Sequence, residues 1–271
     1  MSSLKRNNVK VEGSGCDTMV FIHGFGCDQT MWKLVEPEFR RDFKTVCYDL
    51  TGCGKSDINR YDFTEYSTLQ GHVNDLLRII GELDLTSVTL VGHSVSAMTG
   101  LIASIQAEGS APSHPRFRRH VMVGPSPCYI NDGDYKGGFE RAEIESLLET
   151  LDLNYLGWAR SMAPAIMGNP ERPELAQELA EAFCSNDPAI ASHFARVTFY
   201  GDNRKDLPSN KLPTLILQCS QDVIAPLTVG EYMHRHMPNS KLVVMEATGH
   251  CPQLSAPQEF ISCMRNFIEQ T

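Results

Sequence analysis

Short apolar runs rich in β-branched residues alternate along the chain with longer segments of helical spacing. Several of these runs are continuously apolar, which is typical of strands covered on both faces of a parallel sheet. The alternation therefore predicts an α/β fold, with a mostly parallel central sheet flanked by helices on both sides. Strands are predicted at 18–23, 44–50, 87–93, 119–124, 214–220 and 241–246, and helices at about 29–39, 67–83, 95–107, 227–236 and 256–269.

One long region lacks a convincing strand. Residues 131–207 show four consecutive segments of helical pattern, separated by prolines that suit helix starts and breaks. An insertion between two strands of a parallel sheet lies over the carboxyl ends of the strands, where such sheets bind ligands. We therefore predict a four-helix lid at 131–207, inserted between two parts of a core at 1–130 and 208–271. The polar, proline-containing segment 107–117 is predicted to be a surface loop.

Charge and cysteine content narrow the classes of function. The 271 residues carry a formal net charge of −9, which argues against nucleic acid or an anionic membrane surface as the main partner. No apolar stretch resembles a signal peptide or reaches the ~20 residues of a membrane-spanning helix. The nine cysteines form no C-x-x-C pair, so neither a zinc site nor a disulfide framework is predicted. The simplest expectation is a cytoplasmic protein with reduced thiols, without a metal or another cofactor.

The stretch "LVGHSVSAMTG" at 90–100 places a serine where a strand meets a helix. This is the context of a nucleophile elbow, G-x-S-x-G, although Ser96 stands at the second glycine of that motif. The position needs a small side chain because strand and helix approach closely, and serine is nearly as small as glycine. The alternative is that Ser94 only caps the helix, since serine is favoured at that position.

A nucleophilic serine requires a base and an acid that orients the base, in the chain order Ser, Asp or Glu, His for this kind of fold. Asp222 directly follows the predicted strand 214–220, and His250 follows the last predicted strand. Both residues are therefore expected at the same sheet edge as Ser94. This agreement in order and position predicts a catalytic triad of Ser94, Asp222 and His250.

The segment "HGFG" after the first strong strand suits an oxyanion hole, with the N–H groups of Phe25 and Val95 as the predicted donors. His23 is expected to fix this loop, and His93 to be a packed residue of the elbow. His234 and His236 are expected on a surface helix. The segment "GCGKS" lacks the first glycine of a P-loop, so a nucleotide site is not predicted.

Seven segments together resemble a known group of α/β-hydrolases. "HGFGCDQTMW", "VGHSVSAM", "VMVGPSPCYIND", "GGFE", "NYLGWA", "LILQCSQDVIAP" and "GHCPQLSAP" are similar to RsbQ-type bacterial stress-signalling hydrolases and to the plant strigolactone and karrikin receptors. The receptors share the "GHSVSAM" form of the elbow and retain slow hydrolysis. The resemblance implies a V-shaped lid over a deep apolar pocket. The implied lining includes Phe25, Tyr129, Trp158, Met162, Phe199 and Val223, although packing of lid against core would use the same residue types.

Three hypotheses of function follow. The first is a serine hydrolase of the ligand-sensing receptor type, which cleaves a small hydrophobic ester, lactone or butenolide. The second is a regulator whose output is ligand-dependent binding to a signalling protein, as in RsbQ and the plant receptors. The third is an ordinary metabolic carboxylesterase. A dehalogenase is not expected, because that chemistry needs a carboxylate where the elbow carries Ser94.

Overall fold

A computed structural model describes residues 2–110 and 116–271. Seven strands form one sheet in the order β1-β3-β2-β4-β5-β6-β7. Only β1 is antiparallel, to β3, and the other pairs are parallel. The strands are β1 (Lys10–Glu12), β2 (Thr18–Ile22), β3 (Lys44–Tyr48), β4 (Val88–His93), β5 (Phe117–Val123), β6 (Thr214–Gln221) and β7 (Ser240–Thr248).

The helices cover both faces of the sheet and its carboxyl edge. They are α1 (Ser3–Arg6), α2 (Gln70–Glu82), α3 (Val95–Ser110), α4 (Arg141–Leu153), α5 (Tyr155–Met167), α6 (Pro173–Cys184), α7 (Pro188–Phe199), α8 (Leu227–His236), α9 (Pro252–Ser255) and α10 (Pro257–Glu269). Helices α4 to α7 lie between β5 and β6 in the chain, within the region predicted as the lid. They are called the lid helices below.

The apolar residues of strand β2 contribute to two hydrophobic clusters, one on each face of the sheet. All five of its residues are buried, and alternate side chains enter opposite clusters. Met19 and Phe21 pack in the cluster that contains the lid helices and α10, whereas Val20 and Ile22 pack in the cluster with α2, α3 and α8. Successive side chains of a strand point to opposite faces, so burial on both faces requires a continuous apolar run.

The sequence predicted six of the seven strands. The α/β architecture with a mostly parallel sheet is confirmed. Strand β1 has three exposed residues and pairs at the sheet edge, so its pattern carries no burial signal. The predicted helix at 29–39 is wrong: two short 3-10 helices occupy Gln29–Trp32 and Glu36–Phe39. Pro37 in the second of them cannot donate a backbone hydrogen bond.

The predicted loop at 107–117 is partly wrong. Helix α3 continues to Ser110, and β5 already begins at Phe117, while residues 111–115 of that prediction lie outside the described residues.

The helical pattern predicted for 131–207 agrees with the structure at two helix starts. Pro173 and Pro188 are each the first residue of a helix, a position where the backbone N–H has no partner within the helix and its absence costs little. Among the described helices, none combines the length and hydropathy needed to cross a bilayer.

Candidate active site

Ser94 occupies the sharp turn between β4 and α3. Its φ is +55°, in the left-handed region that a side chain rarely adopts. The turn is held by the Ser94 N–H, which donates to the Val123 carbonyl over 2.8 Å. A Cβ at Gly92 would lie 2.7 Å from the Ser96 carbonyl oxygen, so strand and helix meet with no room for a larger residue there. The elbow geometry predicted from the sequence is therefore present, and it exposes the Ser94 hydroxyl to the cavity above.

A continuous hydrogen-bonded chain links the three predicted triad residues. His250 Nδ1 lies 2.7 Å from Asp222 Oδ2, and His250 Nε2 lies 2.8 Å from Ser94 Oγ. With Nδ1–H donating to the carboxylate, Nε2 is left as the acceptor for the Ser94 hydroxyl proton. All three residues are buried. This is the arrangement in which an imidazole can remove a serine proton.

Asp222 is fixed by the turn that follows β6. Its second carboxylate oxygen, Oδ1, accepts from the backbone N–H groups of Ile224 at 2.8 Å and Ala225 at 3.1 Å. One oxygen therefore anchors the side chain, and the other is free to hold His250. Because two amides fix the carboxylate, the orientation of the imidazole does not depend on flexible side chains.

The loop that carries His250 is joined to lid helix α5. The His250 N–H donates to the Ile166 carbonyl over 2.8 Å. A Cβ on Gly249 would lie 1.8 Å from the Met167 carbonyl oxygen, and one on Gly168 would lie 2.8 Å from the Gly249 Cα. Gly249 also has φ +81°, and Gly168 has φ +62°. Two glycines thus allow the end of α5 to touch the catalytic loop directly.

The loop with Phe25 lies against the elbow. A Cβ on Gly24 would be 2.6 Å from His93 Nδ1 and 3.2 Å from Ser94 Cβ. This close approach brings the following amide, that of Phe25, beside the nucleophile. Val95 is the first residue of α3, and the first amides of a helix have no carbonyl partner within it. Both predicted oxyanion donors thus belong to segments next to Ser94, and their role stays a prediction.

Ser96 and His23 connect this loop to the elbow. The Ser96 hydroxyl donates to the His23 carbonyl over 2.5 Å. The His23 ring donates from Nδ1 to the Gly24 carbonyl at 2.9 Å and accepts the Leu50 N–H at Nε2, also at 2.9 Å. Burial lowers the pKa of His23 from 6.5, which keeps the ring neutral and suits this tautomer. The serine at the second glycine position of the motif thus fastens the loop that carries Phe25.

His93 has a role that the sequence did not indicate. Its Nε2–H donates to the main-chain carbonyl of His250 over 2.8 Å, and the two rings are 4.9 Å apart. Burial, followed by the nearby His250, lowers the pKa of His93 to about 3, so the ring is neutral at ordinary pH. His93 is therefore a positioning residue for the His250 backbone rather than only a packed elbow residue.

Tyr129 reaches the nucleophile itself. Its hydroxyl lies 3.3 Å from Ser94 Oγ, and its ring packs edge-on against Phe199 with centroids 5.2 Å apart. Since the Ser94 proton points to His250, the Tyr129 hydroxyl is the donor of this long hydrogen bond. Burial raises the pKa of Tyr129 to about 12, so the phenol keeps its proton. The family resemblance implied Tyr129 in the pocket but did not indicate this contact.

A small apolar cavity of about 40 Å³ lies above Ser94, between the core and the lid helices. Aromatic rings surround Phe25, with centroid distances of 6.2 Å to both Trp158 and Phe183 and 6.3 Å to Phe199. We call this space the Ser94 cavity. The predicted pocket residues Phe25, Tyr129, Trp158, Met162 and Phe199 all line it. The sequence analysis did not predict the lining residues Leu147, Ile166, Leu179, Phe183, Thr198 and Ile224.

The placement of Val223 in the pocket is wrong. Val223 is 58% exposed, and the adjacent Ile224 is buried and lines the cavity in its place. The turn after Asp222 directs Ile224 inward, because its N–H is bound by the carboxylate that faces His250. Within residues 2–110 and 116–271, no cluster of three or more His, Cys, Asp or Glu side chains is placed to hold a metal ion.

Comparison with known proteins agrees with this architecture. Residues 19–262 match the alpha/beta hydrolase family, and the chain belongs to that family. The karrikin insensitive 2 receptor CA of Petunia hybrida is 38% identical over 97% of this chain and 95% of the receptor. Strigolactone esterase D14 of Arabidopsis thaliana is 36% identical over 98% of this chain and 97% of the esterase.

A solved structure shows the same fold at similar identity. A hydrolase from Oleispira antarctica superposes with a TM-score of 0.94 and 38% identity, over 99% of this chain and 97% of the other. These matches confirm the predicted α/β-hydrolase fold and the predicted resemblance to the plant receptor hydrolases. They also confirm that the chain is an enzyme of the hydrolase class.

Proposed function

We propose that this chain is a serine ester hydrolase in which Ser94 is the nucleophile, His250 the general base and Asp222 the residue that orients the base. The observation that carries the proposal is the unbroken hydrogen-bonded chain from Asp222 through His250 to Ser94, with distances of 2.7 and 2.8 Å. A serine that only capped a helix would not need a buried imidazole and carboxylate aligned behind its hydroxyl.

The reaction follows from this geometry. His250 Nε2 takes the hydroxyl proton as Ser94 Oγ forms a bond to the ester carbonyl carbon. The N–H groups of Phe25 and Val95 hold the resulting oxyanion. Collapse breaks the bond to the leaving oxygen, which takes the proton from His250. Water, activated in turn by His250, then releases the acyl group from Ser94.

The cavity favours a small, largely hydrophobic substrate. Its rings and aliphatic side chains leave few polar contacts, as in sites for apolar ligands. Relatives at 36–38% identity are named strigolactone esterases and karrikin receptors. We therefore propose a small ester, lactone or butenolide as the substrate, bound by Tyr129, Trp158, Met162, Phe199 and Ile224. The residues 131–207 would act as the lid over this substrate.

Intact-protein mass spectrometry with a synthetic butenolide ester tests the proposal. The wild type should cleave the ester and carry a mass adduct, whereas Ser94→Ala should do neither. Ser104→Ala is the matched control, because Ser104 is buried in the same helix but its hydroxyl bonds the Leu101 carbonyl. Ester turnover by Ser94→Ala equal to that of the wild type would reject Ser94 as the nucleophile.

A second candidate function is ligand-dependent binding to a signalling protein, with slow hydrolysis as an accessory step. It is supported by relatives that are named receptors and match nearly the whole chain. On this view the protein acts in the cytoplasm, as its sequence suggests. A partner retained on immobilised protein only when ligand is present would support it. Fast turnover of simple esters, with no ligand-dependent partner, would instead favour a metabolic carboxylesterase.

A further inference from the structure

Thr198 places an unpaired hydroxyl in the wall of the Ser94 cavity. The residue lies near the end of lid helix α7, is 4% exposed, and lines the cavity. Its Oγ1 has no hydrogen-bond partner in the described part of the chain. A helical threonine commonly donates to the carbonyl three or four residues earlier, and Thr198 does not make that bond. A ligand that reached this hydroxyl would therefore have no protein hydrogen bond to displace.

A second lid group has the same property. The indole Nε1 of Trp158, on α5, is buried without a partner among the described residues, and Trp158 also lines the cavity. On the core side, the Ser94 hydroxyl is bonded to both His250 and Tyr129, whereas Nδ1 of His93 has no partner among the described residues. The lid wall thus contributes two unpaired polar atoms to this cavity, on Thr198 and Trp158.

A buried polar group without a partner destabilises a folded protein, because it has lost its hydrogen bonds to water. A ligand that offers a hydrogen-bond partner removes this penalty when it binds, whereas an apolar ligand leaves it in place. Sites with such groups therefore discriminate between ligands that differ by one polar atom. The scissile ester cannot serve this purpose if its carbonyl lies between the amides of Phe25 and Val95.

We propose that Thr198 is a specificity-determining residue whose hydroxyl donates to a second oxygen acceptor of the ligand, a carbonyl or ring oxygen outside the scissile ester. The inference rests on the proposed ester hydrolysis and adds to it a class of substrate. That class is an ester or lactone with one further acceptor oxygen on the side that faces the lid.

Thr198→Val tests this proposal, because valine keeps the shape of threonine and removes only the hydroxyl. Thr89→Val is the matched control. The Thr89 hydroxyl is likewise buried and without a partner among the described residues, but Thr89 lies in β4 and is not part of the cavity lining. Both variants should fold, and each melting temperature is measured first.

The probes are two pairs of 4-methylumbelliferyl esters, 4-oxopentanoate with pentanoate and 5-oxohexanoate with hexanoate. Within each pair a carbonyl replaces one methylene. We expect the wild type to favour the keto ester in kcat/KM in at least one pair. Thr198→Val should lower that preference about fivefold, the range of one neutral hydrogen bond. Thr89→Val should keep the wild-type preference.

A binding measurement covers the case in which turnover is slow. In the Ser94→Ala background, the favoured keto ester should raise the melting temperature more than its methylene partner, and adding Thr198→Val should remove that excess. Equal keto preference in the presence and absence of the Thr198 hydroxyl, in both measurements, overturns the inference. Loss of Ser94-dependent turnover alone would reject the proposed function while the melting shifts still decide the role of Thr198.

Discussion

The two walls of the Ser94 cavity are held in different ways. On the core wall, backbone atoms hold Asp222 through two amides and His93 Nε2 through the His250 carbonyl, and the other ring nitrogen of His93, Nδ1, has no partner in the described chain. On the lid wall, rings gather around Phe25 and two polar atoms, on Trp158 and Thr198, have no partner in the described chain.

This contrast separates two requirements of a hydrolase. Chemistry needs atoms fixed to fractions of an ångström, and short hydrogen bonds to backbone provide that precision. Recognition of a ligand needs a surface whose contacts are completed only on binding, and apolar rings with a few unpaired polar groups provide it. Substitutions of the bonded polar groups on the core wall should therefore alter rate, whereas substitutions of apolar lining residues and of the unpaired lid groups should alter stability or substrate choice.

The largest effect is expected for Asp222→Asn. An amide in place of the carboxylate no longer selects the His250 tautomer that leaves Nε2 free, so kcat should fall about 10⁴-fold with the fold intact. Steady-state turnover and the melting temperature together measure this. Asp152→Asn is the control, because Asp152 pairs with Arg196 on the lid surface and should keep kcat within about twofold. A loss below tenfold for Asp222→Asn would contradict the core-wall mechanism.

Substitutions of the neighbours Ile224 and Val223 compare the effect of a buried cavity side chain with that of an exposed one. Ile224→Ala removes a buried side chain of the cavity and should lower the free energy of unfolding by about 2–5 kcal/mol, with a raised KM. Val223→Ala changes an exposed side chain and should shift stability by less than about 0.5 kcal/mol. Chemical denaturation and substrate titration measure both. Equal effects of the two substitutions would show that the turn after Asp222 is oriented differently.

Acid should weaken the core more than the lid. Burial lowers the pKa of His72, His93 and His120 to about 3 from 6.5, and all three belong to the core. In the unfolded chain each of these histidines binds a proton below about pH 6.5, whereas in the folded chain it stays neutral down to about pH 3. The contribution of the neutral ring to the free energy of unfolding is therefore fully present well above pH 6.5 and is lost as the pH falls below that value. Each such residue should lower the free energy of unfolding by about 2 kcal/mol between pH 6.5 and 5.0.

The substitution His120→Leu measures the part of this pH dependence that comes from His120. Neither ring nitrogen of His120 has a partner in the described chain, so a leucine forfeits no hydrogen bond. The variant should lose less stability than the wild type between pH 6.5 and 5.0, by that same 2 kcal/mol, in denaturation at each pH. His234→Gln, on the exposed face of α8, should follow the wild type. Parallel curves for His120→Leu and the wild type would refute the assignment.

The smallest effect is expected for Ser96→Ala. The change leaves the His23 carbonyl without its donor and loosens the loop that carries Phe25, which should lower kcat about tenfold. KM should stay within about twofold, because the lid wall is untouched. Initial rates over a substrate range measure both constants, with Ser104→Ala as the control. A change confined to KM would assign Ser96 to ligand binding instead.

Much of this arrangement follows from the sequence because parallel strands end at one edge. Ser94, Asp222 and His250 each follow a strand of the sheet, so the strand order places them at one edge. The family resemblance implied Val223 in the pocket, whereas Ile224 lines the cavity, because a shift of one residue in "DVI" changes which side chain turns inward. The pairing of His93 with a carbonyl 157 positions away and the unpaired state of Thr198 depend on side-chain direction, which spacing does not encode.

The contact between Gly168 and Gly249 bears on protein engineering. A side chain on either glycine would collide with the backbone of the opposite segment, so both positions must stay glycine for the two segments to pack together. A chimera that grafts another lid onto this core would need a glycine at the end of its second lid helix to close correctly. The lid is therefore not an interchangeable module, and libraries that vary it should keep residues 166–169 and 248–250 constant.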